Sequence, residues 1–306
     1  MTRQKRSSHR PQVTRKDLQD AARGLRLHKA LAEAGVGSRR ACEAMIDEGR
    51  VEVNGLKIDF KPVWVDPAKD HITVDGRQVN APSDTTGKTN RPAVGGHAPH
   101  AGHTYLMLNK SRGVICTSDD PQHRKTVVDM LPHQQRLFCV GRLDADSTGL
   151  VLMTDDGDLA NRLTHPRYQV PKTYQVAIAG SLTDEDVAKL TEGIYLANRC
   201  KGSAVKAHAA EVQFESRDRE KTRLLITLRE GRNREIRRML ARLGYKVKRL
   251  KRVGLGPLRL KGVALGQWRA LTRVEVASLR QAAHQMDKPR PRPRKSPAAR
   301  KPQKRS

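Results

Sequence analysis

The sequence predicts an α+β protein with two folded parts. A small N-terminal α/β unit comes first, followed by a larger domain on a mixed, largely antiparallel sheet with flanking helices, and each end carries a basic disordered tail. Three observations point to this. Two short helix signals and a hairpin turn precede a break at residues 81–103 that is rich in Pro, Gly, Ser, Thr and His and nearly devoid of large apolar side chains. Beyond the break, short apolar runs are separated by hairpin-length turns, with helical stretches inserted irregularly. The outer segments are polar and basic, and the last one alternates Pro with Arg from Pro289 to Arg294, a pattern that builds neither helix nor sheet ladder. The expected divisions are a tail at 1–24, a compact unit at 25–80, a linker at 81–103, a large domain at 104–284 and a tail at 285–306.

Taken in order, Leu27, Leu31 and Ala34 give a short amphipathic helix stopped by Gly35, and Ser38 caps a second helix over 39–48 closed by Gly49. Val51-Glu52-Val53 and Leu56-Lys57-Ile58 flank Asn54-Gly55, a strong hairpin turn. Past the linker, strands are expected at 105–108, 137–140, 150–153, 173–178, 210–214 and 223–228. Between and after them, Asp158, Thr183 and Asn233 are placed to cap helices over 159–163, 184–191 and up to Leu243, the last stopped by Gly244.

The net charge of +28 comes from 60 Lys and Arg against 32 Asp and Glu. Half of it lies in the tails: residues 1–26 carry eight basic and two acidic residues, and 285–306 carry nine and one. The other half lies on the body, which suits a surface that neutralises many phosphates, so nucleic acid is the expected partner. The basic segments lack the interleaved Trp, Phe and Leu of an interfacial helix, and no run approaches signal-peptide or transmembrane length. No membrane partner is expected, and the chain reads as a cytoplasmic monomer.

Several chemistries lack their motifs. Cys42, Cys116, Cys139 and Cys200 are too far apart for a zinc site or a disulfide framework and read as reduced, mostly buried thiols. No glycine-rich phosphate loop is present, so no nucleotide cofactor is expected. Asp155-Asp156-Gly157-Asp158 begins like a calcium loop without its closing acid, and a turn with a helix cap accounts for it. His97, His100 and His103 read as solvent-exposed linker residues. No metal is expected.

Three patches carry candidate chemistry. In Gly141-Arg142-Leu143-Asp144 an apolar run enters a Gly-punctuated loop and presents a carboxylate beside a guanidinium at a strand end, with Asp146 facing solvent or the loop. A structural ion pair and a catalytic carboxylate both fit Asp144; in either case its charge needs a cation partner. Lys172-Thr173-Tyr174 places an aromatic ring on a strand face shared with Val176 and Ile178, as a core tyrosine or a ring that stacks on a nucleobase. Between Glu230 and Leu243, Ile236, Met239, Leu240 and Leu243 form a buried stripe and Arg234, Arg237, Arg238 and Arg242 occupy the other faces. Lys246, Lys248, Arg249, Lys251 and Arg252 follow and read as a continuation of that basic surface. In the first unit, Arg39 and Arg40 open a helix whose N–H groups and their guanidinium groups can grip phosphates together. Using that helix pair as a DNA-reading helix-turn-helix is disfavoured by the hairpin that follows at once.

With these patches in this order, the stretch from Leu27 to Leu271 resembles the RsuA/RluB family of bacterial ribosomal RNA pseudouridine synthases. The motifs are Gly141-Arg142-Leu143-Asp144 with Thr148-Gly149-Leu150, Lys172-Thr173-Tyr174, and the run from Gly231 to Met239. The resemblance implies the pseudouridine synthase fold behind a ribosomal-protein-S4-type RNA-binding module, and a cofactor-free isomerisation of uridine in rRNA. Asp144 matches the catalytic aspartate, Tyr174 the ring on the flipped uracil, and Arg237 the arginine that pairs with the aspartate. Arg142 and Leu143 belong to the aspartate's loop, Leu250 matches a pocket-lining position, and Lys172, Arg234 and Arg238 join Arg39 and Arg40 as expected RNA contacts. Asp119-Asp120-Pro121 with Arg124-Lys125-Thr126-Val127 is most like the RluB branch, which implies large-subunit rRNA. Lys110-Ser111-Arg112-Gly113 has Ser where the family usually has Pro, which leaves that turn looser.

Overall fold

A computed structural model describes residues 13–79, 102–117, 120–131, 137–197 and 204–285. The expected C-terminal tail, most of the linker with His97 and His100, and Cys200 lie outside these residues. The chain divides into two compact units, Met1–Asn90 and Arg91–Ser306.

The first unit runs β1 (Leu25–Arg26), α1 (Leu27–Glu33), α2 (Arg39–Asp47), β2 (Val51–Val53), β3 (Leu56–Lys57), β4 (Trp64–Val65), β5 (Ile72–Val74) and β6 (Arg77–Val79). The Ser38 hydroxyl caps α2 by accepting from the Ala41 N–H at 3.1 Å, as its position predicts. Asn54 and Gly55 both take positive φ (53° and 83°), the requirement of a tight hairpin turn, and Val53 pairs with Leu56 across it. The four-stranded sheet has the order β3-β2-β5-β6. Leu27, Leu31, Cys42 and Ile46 of the helices are buried in one cluster with Val51, Val53 and Ile72 of the sheet.

One expectation fails here. The stretch at 13–24, read as part of a disordered tail, folds onto this unit as two 3-10 turns, Asp17–Gln19 and Ala21–Arg23. Its polarity hid two anchors. Leu18 is fully buried in the core, and Arg23 forms a two-pronged ion pair with Asp70, one prong being Nε to Oδ2 at 3.1 Å. The Asp70 side chain also accepts from Asn54 and from the Asp66 N–H, so one buried carboxylate ties this segment to the hairpin.

The second unit runs β7 (Tyr105–Lys110), β8 (Phe138–Val140), β9 (Thr148–Thr154), α3 (Gly157–Thr164), β10 (Lys172–Ala179), α4 (Asp184–Glu192), β11 (Ile194–Ala197), β12 (Ala204–Ala207), β13 (Glu211–Arg217), β14 (Lys221–Leu228), α5 (Glu235–Arg242), β15 (Val247–Leu255), β16 (Leu258–Arg259), β17 (Trp268–Ala270) and α6 (Arg273–Gln285). Its large sheet has the order β13-β14-β10-β15-β9-β7-β17, with β8 added to β9 and β16 to β15. Every pairing in it is antiparallel except β15 with β9. The sheet is thus mixed and largely antiparallel, as the sequence predicts, and its parallel seam lies where the loop carrying Asp144 enters β9.

Strand alternation sorts side chains to two faces. Leu106, Leu108, Val151, Met153, Tyr174, Val176, Leu224 and Ile226 join Ile236, Met239 and Leu240 of α5 in one cluster. Tyr105, Met107, Leu150 and Leu152 pack with Leu159 and Leu163 of α3 and Val276 and Leu279 of α6 in the other. Each fully buried aliphatic side chain in these layers contributes about 1.5–3 kcal/mol.

The helix ends differ in detail from the sequence reading. Thr183 caps α4, its hydroxyl accepting from Asp186 N–H at 3.1 Å, as expected. At α3 the cap is Asp156 rather than Asp158, accepting from Leu159 N–H at 2.9 Å and from the Tyr105 hydroxyl at 2.6 Å. At α5 Asn233 does not cap; Arg234 takes a left-handed φ of 47° and the Glu235 carboxylate reaches back to the Arg232 N–H at 2.9 Å. His103 is bonded to Asp155 at 3.0 Å rather than solvated, because Asp155 also receives the Thr104 N–H and so fixes the start of β7. No metal-binding cluster occurs among the described residues.

Candidate active site

The hairpin of β8 and β9, in register at Val140 and Leu152, is closed by the loop 141–147. Asp144 therefore lies mid-loop rather than at a strand end. Gly141 turns the chain out of β8 with a φ of +71°. The loop is then fastened at three points: Leu143 N–H donates to Cys116 Sγ at 3.4 Å, Gly113 N–H donates to Ala145 O at 2.7 Å, and Ser147 N–H closes a turn on Asp144 O at 3.0 Å. Leu143 is buried in the core and Arg142 is exposed, so the two neighbours of Asp144's loop segment serve anchoring and solvent-facing roles respectively.

Two carboxylates and two guanidinium groups meet on this loop. Asp144, its side chain 32% exposed, lies 3.6 Å from Arg234 Nη1. Asp146 takes both Nη atoms of Arg234 at 3.1 Å, and Arg237 Nη2 approaches its Oδ2 at 3.3 Å and its carbonyl at 3.2 Å. The expected pairing of Arg237 with Asp144 is thus replaced: Arg234 faces Asp144, and Arg237 holds Asp146. Arg237 sits inside α5, its Nη1 donating to Val247 O at 3.4 Å and its Nη2 turned to Asp146 and the Ser147 hydroxyl. Arg234 stands at the helix mouth and spans both acids. Asp146 faces the loop and the groove, as expected, with its side chain 34% exposed and engaged by both guanidinium groups. Partial burial opposes its charge, but the Arg234 bonds and the Arg237 cation outweigh that and hold its carboxyl below the usual range. Burial pulls the Arg237 guanidinium the other way, below its ordinary value.

Tyr174 is 8% exposed, in the core cluster with Val176 and Ile178. Burial raises its phenol above the ordinary value, while the charge of Arg252, its cross-strand partner, acts in the opposite direction; Asp144 is near enough to add its own field. Lys172, expected on the RNA-facing surface, is 7% exposed. It shares the inward parity of Tyr174 and donates to Val170 O at 3.1 Å. Burial, reinforced by the nearby Arg252 cation, pushes its ammonium down to about 8. Arg238 is also committed, donating to Ala197 O on β11. Leu250 is buried at 8% exposure and lines a groove, in keeping with a pocket position.

That groove, about 680 Å³, lies across the open face of the sheet and is lined by Asp146, Gln175, Ala177, Leu250 and the cations Arg112, Lys221, Arg223, Lys248, Arg249 and Lys251. Charged side chains around an apolar floor can hold a polyanion and the flat face of a base. Sequence reasoning missed Arg223 as part of this surface, missed Arg252 as a buried group, and missed Cys116 under the loop. Cys116 receives the Leu143 N–H, and that bond with the neighbouring Cys139 thiol pulls Cys116 below the usual thiol range against its burial. Only the alternation of Leu250, Arg252 and Gly254 in β15 hinted that Arg252 points inward.

Comparison with known proteins identifies the two modules. Residues 104–242 match the RNA pseudouridylate synthase family and residues 25–59 match the S4 domain. The ribosomal large subunit pseudouridine synthase B of Bacillus subtilis is 38% identical over 84% of this chain and 96% of its own length. An uncharacterized RNA pseudouridine synthase of Aquifex aeolicus is 37% identical over 83% and 93%. A crystal structure of a pseudouridylate synthase superposes with a TM-score of 0.53 at 30% identity, covering 84% of this chain and all of that one. With a carboxylate-bearing loop pinned between β8 and β9, a buried tyrosine beside it and an S4 domain ahead, the chain belongs to the RNA pseudouridine synthase family.

Proposed function

We propose that this enzyme isomerises a uridine of large-subunit ribosomal RNA, with Asp144 as the carboxylate that acts on the ribose. The observation that carries the reading is the loop 141–147: it fixes Asp144 beside Arg234 while its Asp146 lines the basic groove, so a reactive carboxylate and a surface for the RNA backbone belong to one hairpin. The reaction breaks the N1–C1′ bond, turns the uracil over and forms a C5–C1′ bond; C5 gives up its proton and N1 gains one, so atoms balance without a cofactor. A stacked or paired uridine hides that bond, so the nucleotide is extruded, and Tyr174 with Leu250 supplies the apolar wall that offsets lost stacking. Arg237 serves the carboxylate indirectly, by holding Asp146 and the loop. The ribosomal target follows the named relatives of Bacillus subtilis and Pseudomonas aeruginosa, the latter 37% identical over 83% of this chain. Arg39 and Arg40, exposed at the start of α2, contact RNA phosphates from the N-terminal module. Among the described residues no helix is long and apolar enough to cross a membrane, in keeping with work on cytoplasmic ribosomal RNA.

The test is a pseudouridine map of rRNA, by carbodiimide labelling and primer extension, from cells with the wild-type chain and with Asp144→Ala. One large-subunit site is expected to vanish in the variant, with turnover on an unmodified fragment reduced about 10³-fold or more. An unchanged map, together with wild-type protein that fails on unmodified rRNA, refutes the reading.

A further inference from the structure

Arg252 has no part in the scheme above, yet it lies at the centre of the site. It is 1% exposed, the largest of the fully buried side chains. Strand β15 is the one that joins the two halves of the sheet, antiparallel to β10 and parallel to β9, and Arg252 is the cross-strand partner of Tyr174 on one side and of Gly149 on the other. The backbones approach so closely there that a Cβ on Gly149, whose φ is +104°, would sit 2.2 Å from the Arg252 carbonyl oxygen.

The guanidinium reaches both ends of the loop that carries Asp144. Its Nε donates to Leu150 O at 2.7 Å, just past the loop, and its Nη1 lies 3.7 Å from where a Cβ on Gly141 would stand, at the loop's start. Tyr174 is its neighbour across the strand pair, and the charge of the guanidinium opposes the burial that raises the Tyr174 phenol. No ion pair to Arg252 occurs among the described residues, and its buried Nη2 has no partner. A buried cation without a counter-ion adds little to stability, so a purely structural account of it is weak.

We propose that Arg252 is a positioning residue for uridine isomerisation, one guanidinium that sets the Tyr174 hydroxyl and both ends of the 141–149 segment in a single arrangement around Asp144. This rests on the assignment of Asp144 and Tyr174 above. The rigid fork of an arginine is suited to the task, since it bonds in several directions at fixed angles, whereas a lysine offers one point of charge.

The experiment compares wild type, Arg252→Met, Arg252→Lys, Tyr174→Phe and the Arg252→Met/Tyr174→Phe double variant on an unmodified rRNA fragment, with Asp144→Ala as a control. Melting, RNA affinity, single-turnover rate and its pH profile are measured for each. Arg252→Met is expected to bind RNA within about threefold of wild type and to lose about 10²-fold in turnover, the scale of a displacement near 1 Å at a reacting centre. Arg252→Lys is expected to keep a native melting temperature and recover only part of that loss. The Met and Phe changes should combine to less than the product of their separate effects, and the alkaline limb of the rate profile should move in Arg252→Met but not in a distant core variant such as Leu279→Ala. Wild-type turnover in Arg252→Lys, multiplicative effects in the double variant, or loss of turnover that only tracks loss of folded protein would each overturn the proposal. If Asp144→Ala remains active, the reading of the site fails first; if it is inactive while both Arg252 variants turn over normally, only the role of Arg252 fails.

Discussion

Helix α5 carries Arg237, Arg238 and Arg242 around the buried stripe of Ile236, Met239 and Leu240, and a few residues later strand β15 carries Lys248, Arg249, Lys251 and Arg252. On the helix the 3.6-residue period turns Arg242 to the surface and Arg237, its side chain only 13% exposed, toward the loop, where it holds Asp146. On the strand the two-residue period divides the cations: Lys248 and Arg249 are exposed and line the groove, while Arg252 is sealed beneath Tyr174. Two runs of like charge therefore do different work. The first clamps a loop, and the second lines a groove with one face and drives one cation into the core.

Substitutions can sharpen or break this contrast. Apart from Arg252 itself, the largest effect is expected on the helix. Arg237→Ala removes a charged hydrogen bond to the Asp146 carbonyl and an ion pair to its carboxylate, worth about 1.5–3 kcal/mol, so turnover should fall about 10- to 100-fold with RNA affinity nearly unchanged. Single-turnover rates at saturating enzyme check this; a change in affinity alone would make Arg237 an RNA contact instead of a clamp.

An intermediate effect is expected from the buried side of the strand pair. Lys172 has its ammonium pushed from 10.5 to about 8, so between those values the unfolded chain holds a proton that the folded chain does not, and stability from this group rises with pH. Below about pH 8 the full burial penalty is present. Lys172→Met should then be more stable than wild type near pH 7, by about 3 kcal/mol at most, with the advantage shrinking as pH rises towards 10.5. Denaturant melts of both proteins from pH 6.5 to 10.5 test it, and a pH-independent difference would place Lys172 in contact with water.

The smallest effect per residue belongs to the wet face. Arg249→Gln and Lys251→Gln should each raise KM a few-fold, lower the slope of log binding against log salt by about one, and leave the modified uridine unchanged. Filter binding across salt concentrations would show it. Unchanged slopes for both would remove the groove from the RNA path.

Much of this architecture was legible locally. Ser38, Asn54-Gly55 and Thr183 act as their side chains and conformational freedom dictate, because a cap or a two-residue turn is decided within four residues. Asp144, Tyr174 and α5 were also marked, by motif spacing and by an apolar stripe. Strand β15 was not, since its run of Lys and Arg reads as one continuous wet surface until the sheet assigns an inside to alternate residues. Leu18 and Arg23 were hidden in the same way: a single Leu in a basic segment gives no periodicity, and its burial depends on a core built from residues farther along the chain.

The sequence by itself determined the α+β class, the order of the two modules, the family and the carboxylate loop, because these rest on composition, short-range turn chemistry and motif residues close together in the chain. Tertiary structure alone decided which cation faces which acid. Arg234 rather than Arg237 lies beside Asp144, and Arg252, more than a hundred residues from the loop, lies between that loop and Tyr174. The physical reason is reach: a guanidinium acts over a few ångströms, and Arg252 comes within that distance of the loop through the parallel seam of β15 on β9, a pairing with no local signature in the sequence.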